Sequence, residues 1–304
     1  MRIIVPMFSC AMLLIVVSKS AFSQELTPRA YWPTPQGTKF LVLGSSYSTG
    51  DIVTDPSLPL VGVESRILTG VIGYQQTFSV AGRTATAEIQ LPYVDGTTEG
   101  EYRGQPASRN ISGVGDFMAS LSVNLMGAPA MTAAEFQEFL QDPKPIIAAS
   151  LKLVVPTGEY EADRLINVGT NRWATKLKLA YLQPIKEKWV VEMGAGVWFF
   201  EDNDEFLGMT REQEPLTAVD VSMVRRIKPG FWASIDANYY FGGRTTVDDV
   251  RGADFQRNSR LGFSVGYPIK PRHSIKLGFS SGVVTESGGK YNTSILTYVY
   301  RLNE

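Results

Sequence analysis

From Lys39 to Tyr300 the chain returns again and again to one pattern, apolar residues at every second position with polar or small residues between them. A strand with two unlike faces requires this, because successive side chains point to opposite sides of a sheet. Over Thr84 to Tyr93, the residues Ala85, Ala87, Ile89, Leu91 and Tyr93 share one face, and Thr84, Thr86, Glu88 and Gln90 the other. Phe117, Ala119, Leu121, Val123 and Leu125 alternate with Asp116, Ser120, Ser122 and Asn124, and Ile147, Ala149, Leu151, Leu153 and Val155 oppose Ser150 and Lys152. Similar runs start near Lys39, Arg66, Asn171, Lys188, Pro215, Gly230, Arg257, His273 and Tyr291. About twelve strands are predicted, each near the roughly 9–11 residues that a tilted membrane strand needs.

The connections alternate in length. Long polar segments follow the first, third, fifth, seventh and ninth strands (Gly50–Ser65, Val94–Ser112, Thr157–Thr170, Glu201–Glu214 and Gly242–Gln256), and tight turns lie between them at Ser79–Arg83, Pro184–Glu187, Ile227–Pro229 and Pro268–Arg272. Short periplasmic turns and longer external loops, with both termini in the periplasm, are the habit of outer-membrane barrels. One connection, Met126 to Pro145, is too long for a turn. Thr132 and Glu135 stand in capping-box spacing there, and Phe136, Phe139 and Leu140 follow at helical spacing. A short periplasmic helix near 132–141 is therefore predicted.

Large aromatics sit at both ends of the apolar face: Trp173 and Tyr181, Trp189 and Phe199, Phe231 and Tyr239, with aliphatic or small residues between. Rings at both edges of an apolar band form the interfacial girdle of a membrane barrel. The fold class expected is all-β, an antiparallel transmembrane outer-membrane barrel occupying residues 37–304 as one domain. Ahead of it, Gln24 to Gln36 carries Pro28, Pro33 and Pro35 and reads as an extended lead-in. Residues 1–23 read as a signal peptide: Arg2 precedes an apolar run from Ile3 to Val17 that is short for a helical span, and Ala21-Phe22-Ser23 offers a cleavage site.

Cleavage would remove Cys10, the only cysteine, and with it any disulfide or thiolate chemistry. It would also remove Arg2 and Lys19, taking the formal net charge from −1 to −3 and leaving no basic character for a nucleic-acid partner. No nucleotide or cofactor fingerprint occurs, so no cofactor and no energy source are implied.

Several stretches carry a family resemblance: Val155-Pro156-Thr157-Gly158-Glu159-Tyr160, the run from Asp163 to Trp173, Gly242-Gly243-Arg244-Thr245-Thr246-Val247-Asp248 and Gln256-Arg257-Asn258-Ser259-Arg260. Together they resemble a family of outer-membrane proteins assigned to transport in the meta-pathway of phenol degradation, distantly similar to the long-chain fatty-acid transporters. The resemblance spans about Leu26 to Arg301 and implies passage of small hydrophobic or aromatic compounds. Its motifs place Asp163, Arg164, Asn167, Asn171, Arg172 and Arg244 on external loops. Outer-membrane lipid and the barrel-assembly machinery are the implied partners. The chain departs from barrels generally at its end, where Tyr298 and Tyr300 are followed by Arg301-Leu302-Asn303-Glu304 in place of a terminal aromatic.

If the apolar face meets lipid, the other parity points Glu88, Asp116, Lys152, Lys176, Lys178, Glu192, Asp220, Asp236 and Arg260 into the lumen, and a polar lumen should accept a further charge at Ala180. Three lysines precede three carboxylates in strand order, so the wall separates the two signs; either a conducting lumen or a filled, salt-bridged one fits. A barrel of about twelve strands lies between small filled barrels and wide porins, so a narrow or plugged pore is expected. Catalytic chemistry is sparse. His273, the one histidine, would have to serve as the base of a serine hydrolase with Ser274 or a distant serine, and no triad pattern supports it. A metal would have only carboxylates to bind, such as Asp51, Asp55 and the cluster Glu201, Asp202, Asp204 and Glu205, and their spacing is not that of a defined calcium loop. Three readings follow: a passive channel, a closed barrel working through its loops, and, least supported, an enzyme using His273.

Overall fold

The computed structural model describes residues 26–52, 60–102, 104–186, 188–286 and 290–303. The signal-peptide segment 1–23 and Asp55 lie outside the described residues. The elements run β1 (Lys39–Asp51), β2 (Leu60–Val80), β3 (Arg83–Tyr102), β4 (Gln105–Val114), β5 (Phe117–Met126), α1 (Ala133–Gln141), β6 (Ile146–Val155), β7 (Ala174–Ile185), β8 (Trp189–Phe200), β9 (Asn203–Phe206), β10 (Met209–Gln213), β11 (Leu216–Lys228), β12 (Phe231–Gly242), β13 (Thr245–Val247), β14 (Val250–Arg251), β15 (Gln256–Lys270), β16 (His273–Gly282) and β17 (Lys290–Arg301). The main sheet is antiparallel, runs β2-β1-β17-β16-β15-β12-β11-β8-β7-β6-β5-β3-β4, and closes through β2–β3. Strands β4 and β5 both pair with β3, at Tyr93 to Tyr102 and at Ala85 to Gln90 respectively, and form one stave interrupted at Gly115-Asp116. The barrel thus has twelve staves and no open edge, the arrangement in which every backbone group of a membrane-spanning sheet finds a partner.

The two faces separate as the alternation requires. Leu179 is 60% and Ile235 71% exposed, whereas Lys178 is 8% and Asp236 1% exposed. A soluble barrel would bury the first pair and expose the second; this inverted distribution is that of a barrel with lipid outside. Trp173, Phe199 and Tyr239 sit exposed at one end of the apolar band, and Tyr267 at the other. Ten residue steps separate Trp189 from Phe199. At about 3.3 Å per residue and a tilt of roughly 40°, the aromatic belts stand about 25 Å apart, the height of the apolar band of an outer-membrane barrel.

Tight turns close one end. Between β2 and β3 the two turn residues Ala81 and Gly82 both have positive φ, 48° and 74°, which matches the strand twist in a two-residue hairpin. Pro229-Gly230 joins β11 to β12, with Gly230 at φ 74°. The long connection at this end holds α1, whose Thr132 hydroxyl accepts from the Glu135 backbone N–H while the Glu135 carboxylate accepts from Thr132 N, the full capping box.

The opposite end differs from a set of polar loops. Val94–Ser112 is mostly strand: β3 runs on to Tyr102 and returns as β4, a hairpin standing beyond the barrel rim. Its residues Gly96, Thr97, Thr98, Glu99 and Gly100 carry no apolar alternation, because neither face there meets lipid; cross-strand bonds such as Thr97 Oγ1 to Asn110 Oδ1 (2.8 Å) hold it. The segments 201–214 and 242–256 likewise contain β9, β10, β13 and β14, a separate four-stranded sheet. Ile111, Ile166 and Phe206 pack together between hairpin, loop 157–170 and small sheet, giving this end its own apolar core.

Candidate functional site

Because the staves pair in register, inward side chains form rows around the wall. One row toward the loop end reads Glu88, Ser120, Lys152, Lys176, Trp198, Leu216 on β3, β5, β6, β7, β8 and β11. The next reads Thr86, Ser122, Ser150, Lys178, Gly196, Ala218, Tyr240 and continues to Asn258 on β15. A third carries Ala180, Gly194, Asp220, Asn238 and Arg260, and a fourth Leu182, Glu192, Ser222, Asp236 and Gly262. A cavity of about 450 Å³ occupies the lumen against the first two rows, with Glu88, Lys152, Lys176, Lys178 and Asp220 on its wall beside Trp198, Tyr240 and Trp232.

Lys178 on β7 and Asp220 on β11 belong to strands that do not touch, yet Nζ and Oδ1 lie 2.6 Å apart. They meet across β8 because the residues between them are Gly194 and Gly196. A Cβ on Gly194 would stand 2.4 Å from Lys178 Cε and 2.7 Å from Asp220 Oδ2. The pair is mostly shielded from water, so each charge depends on the other.

Glu192, Asp236 and Arg260 are inward but buried in the wall, outside the cavity lining. Glu192 Oε2 accepts from Arg29 N at 2.7 Å, and Asp236 Oδ2 accepts from the Ser234 and Ser264 hydroxyls at 3.0 and 3.2 Å. The Arg260 guanidinium lies 3.9 Å from the Tyr291 ring centroid and donates to Ser280 Oγ (2.8 Å) and Tyr291 O (3.3 Å). The sign-separated wall expected from the strand order is therefore not one surface: two of its three carboxylates are taken up by wall contacts. Asp116 stands apart from the lumen rows. Its Oδ1 accepts from Gly158 N (2.9 Å) and its Oδ2 from Thr170 N (2.9 Å) and Thr170 Oγ1 (2.7 Å), latching loop 157–170 to the barrel rim.

The segment 26–36, read from its prolines as a lead-in, forms no strand and packs into the barrel. Leu26 packs against inward-facing Gly262, and Tyr31 and Trp32 enter an apolar cluster with Ile146, Leu182, Val190, Val224 and Trp232 at the turn end. Trp32 meets Phe139 of α1 edge-on, centroids 6.0 Å apart. A turn over residues 28–31, with Arg29 at φ 65°, bends the segment, and groups that a strand would pair are satisfied by the wall: Tyr31 O accepts from Asn124 Nδ2 (3.3 Å), Gln36 N donates to Met131 O (2.8 Å), and the Thr34 and Thr77 hydroxyls bond at 2.6 Å. The Tyr31 hydroxyl reaches Ser150 (2.8 Å), and Lys178 Nζ lies 5.5 Å from the Tyr31 ring. Arg29, Tyr31 and Trp32 thus supply one side of the cavity. Aromatics inside a proline-rich stretch were the available signal for this; Trp198, Trp232 and Tyr240 were readable as rings on the lumen parity.

The loop residues singled out by the family motifs hold the loop end together. Asn167 Oδ1 accepts from Glu161 N and its Nδ2 donates to Glu161 O and Arg164 O. Asn171, at φ 53°, donates to Asn203 Oδ1 (3.1 Å) and Glu205 Oε2 (3.2 Å). Arg172 is buried over the Phe200 ring (4.7 Å) and donates to Gln213. Arg244 lies over Phe255 (5.4 Å), and Arg164 lies between Glu161 (3.5 Å) and Asp163 (3.6 Å). The hydrogen bond from the Arg109 guanidinium holds the Glu161 carboxyl below the usual glutamate range. His273 Nδ1 is hydrogen-bonded to the Tyr298 hydroxyl at the turn-end rim, while Ser274 lines the cavity.

A family model described as "Putative MetA-pathway of phenol degradation" matches residues 46–301. The chain belongs to this family. Among curated proteins no relative matches. Among solved structures, an outer-membrane channel from Pseudomonas putida F1 is similar at TM-score 0.76 and 21% identity, covering 91% of this chain and 100% of that one. The transport unit of the autotransporter AIDA-I from Escherichia coli is similar at TM-score 0.51 and 12% identity, over 92% and 94% of the two chains. Both likenesses are of fold, and the family is the one that the motifs around loop 157–170 resemble. In this member those motifs serve the Asp116 latch, where Gly158 and Gly169 approach so closely that a Cβ on either would stand 2.8 Å from the other's backbone.

Proposed function

We propose that this protein is a passive outer-membrane channel for small hydrophobic or aromatic compounds. The observation that carries the reading is the lumen cavity: about 450 Å³, within the range of small-molecule sites, and walled by aromatic rings with a few charges among them. The family's description connects it with phenol degradation, and the similar structure from Pseudomonas putida is itself an outer-membrane channel. In this reading residues 1–23 are cleaved on export, the assembly machinery inserts the barrel, the turn end with both termini faces the periplasm, and the latched loop end faces outward. The rows of inward residues, Lys152, Lys176, Lys178 and Asp220 among them, border the solute path.

A closed barrel acting through its loops is the second reading, favoured by the packing of 26–36 inside the turn end. Planar-bilayer conductance together with uptake of phenols, fatty acids and sugars into proteoliposomes separates the two. The channel reading expects protein-dependent uptake of phenols in preference to sugars. Absence of both current and uptake for every solute would refute it.

A further inference from the structure

Three neighbouring hairpins, β7–β8, β11–β12 and β15–β16, turn back on one short pattern. Ile185-Lys186, Ile227-Lys228 and Ile269-Lys270 recur 42 residues apart, each at the end of the strand that runs into the turn. The isoleucines stand outward and are 42%, 43% and 50% exposed. Arg225, outward on β11 beside Trp189 of β8, holds its guanidinium 5.1 Å from the indole centroid. Lys228 Nζ lies 5.9 Å from the Phe231 ring and 5.7 Å from that of Tyr267, two rings that meet edge-on at 5.3 Å. Gly230 lets the second and third turns touch, since a Cβ there would stand 3.0 Å from Pro268 Cγ. The first turn carries Glu187 between Lys186 and Lys188, but Arg225–Gly230 and Pro268–His273 contain no carboxylate. Among the described residues no carboxylate forms an ion pair with Arg225, Lys228 or Lys270. At the other end of these staves the segment 201–214 is acidic, with Glu201, Asp202, Asp204, Glu205, Glu212 and Glu214 against Arg211. Cations gathered on one rim repel one another. An aliphatic side chain, then a ring, then a cation follows the layers of a lipid whose headgroup is an anion.

We propose that the rim at the second and third turns binds the phosphodiester of an acidic phospholipid, with Arg225, Lys228 and Lys270 as its cations and the lipid chains lying along Ile227 and Ile269. This rests on the reading of the turn end as the periplasmic end and names the class of lipid that it meets. An acidic headgroup relieves the repulsion among the cations, whereas a zwitterionic one brings a further ammonium into the cluster. A soluble phosphate would answer the cations and leave the exposed isoleucines and the Tyr267 ring without a partner.

Native mass spectrometry of the full chain in detergent, titrated with phosphatidylglycerol or phosphatidylcholine of the same acyl chains at pH 7, tests the site without requiring passage or a fixed orientation. The first phosphatidylglycerol should bind about fivefold more tightly than the first phosphatidylcholine, the scale of one basic residue at an anionic surface. In the Lys228→Gln, Lys270→Gln double variant the preference should be lost, and in the Lys228→Arg, Lys270→Arg variant it should persist. The Lys39→Gln, Arg83→Gln variant removes two cations from the other half of the turn end and should keep it. If the glutamine variant at the site fails to fold, single Lys270→Gln, on an exposed turn, should cut the preference about twofold. Equal binding of the two lipids, a preference that survives Lys228→Gln, Lys270→Gln, or one lost equally in Lys39→Gln, Arg83→Gln overturns the proposal. Displacement of the lipid by glycerol phosphate overturns it as well, because the site would then be one for a soluble anion. Labelling of a Pro229→Cys variant by an impermeant thiol reagent on intact cells reads orientation separately: labelling counts against the periplasmic placement, and lack of lipid preference counts against the site.

Discussion

Gly194 decides what the charges of the wall can do. With a side chain there, Lys178 and Asp220 could not meet across β8. Gly194→Val should separate them and lower stability by about 2 kcal/mol, allowing for the partial exposure of Asp220; urea unfolding in detergent measures it, and wild-type stability would contradict the account. Parity makes a second prediction. Leu179→Arg puts a cation on the lipid face and should cost roughly 2–4 kcal/mol. The opposite parity does not tolerate charge everywhere, as a uniformly polar lumen would: Ala180 is packed with Ile146, Leu182 and Val190, so Ala180→Arg should also destabilise. Ser122→Arg, at the cavity wall, should be accepted. Equal effects of Leu179→Arg and Ser122→Arg on refolding into liposomes would mean the faces are assigned wrongly. The face of nearly every residue was legible from alternation alone, because period two survives any barrel size. Which inward residues reach a cavity was not, since that depends on neighbours such as glycine two strands away.

At the level of elements, α1 was readable because a capping box is local: Thr132 and Glu135 contact each other and little else. Thr132→Ala should destabilise the helix by about 1 kcal/mol. The bonds from Thr132 hold the Glu135 carboxyl below the ordinary glutamate range. A folded-state value lowered in this way adds stability that is fully present above the ordinary value and is lost as pH falls through the lowered one. Amide exchange in residues 133–141 should therefore gain on that of β8 upon acidification below the usual glutamate range; exchange that tracks β8 at every pH would contradict the capping role. The hairpin of β3 and β4 was not legible, because beyond the membrane neither face has to be apolar. That segment 26–36 packs into the barrel was not legible for a related reason: its partners Ser150, Thr77 and Phe139 are far away in sequence, and prolines look alike whether a chain runs outside a barrel or into it.

For the whole molecule, the closed sheet, the apolar band and the aromatic belts predict that the protein fractionates with the outer membrane and migrates on gels in a heat-modifiable way. Recovery as a soluble species without detergent would contradict the barrel's inverted faces. The central claim is that the lumen is a path for solutes, and reversal potentials in planar bilayers test it most directly through the triple variant Lys152→Gln, Lys176→Gln, Lys178→Gln. The account predicts that the wild type conducts and that the variant, left with Glu88 and Asp220 on the cavity wall, shifts towards cations while remaining folded. Loss of the Lys178–Asp220 pair should by itself lower stability by about 2 kcal/mol and bears on neither outcome. A wild type that carries no current, or a triple variant whose reversal potential is unchanged, would contradict the account.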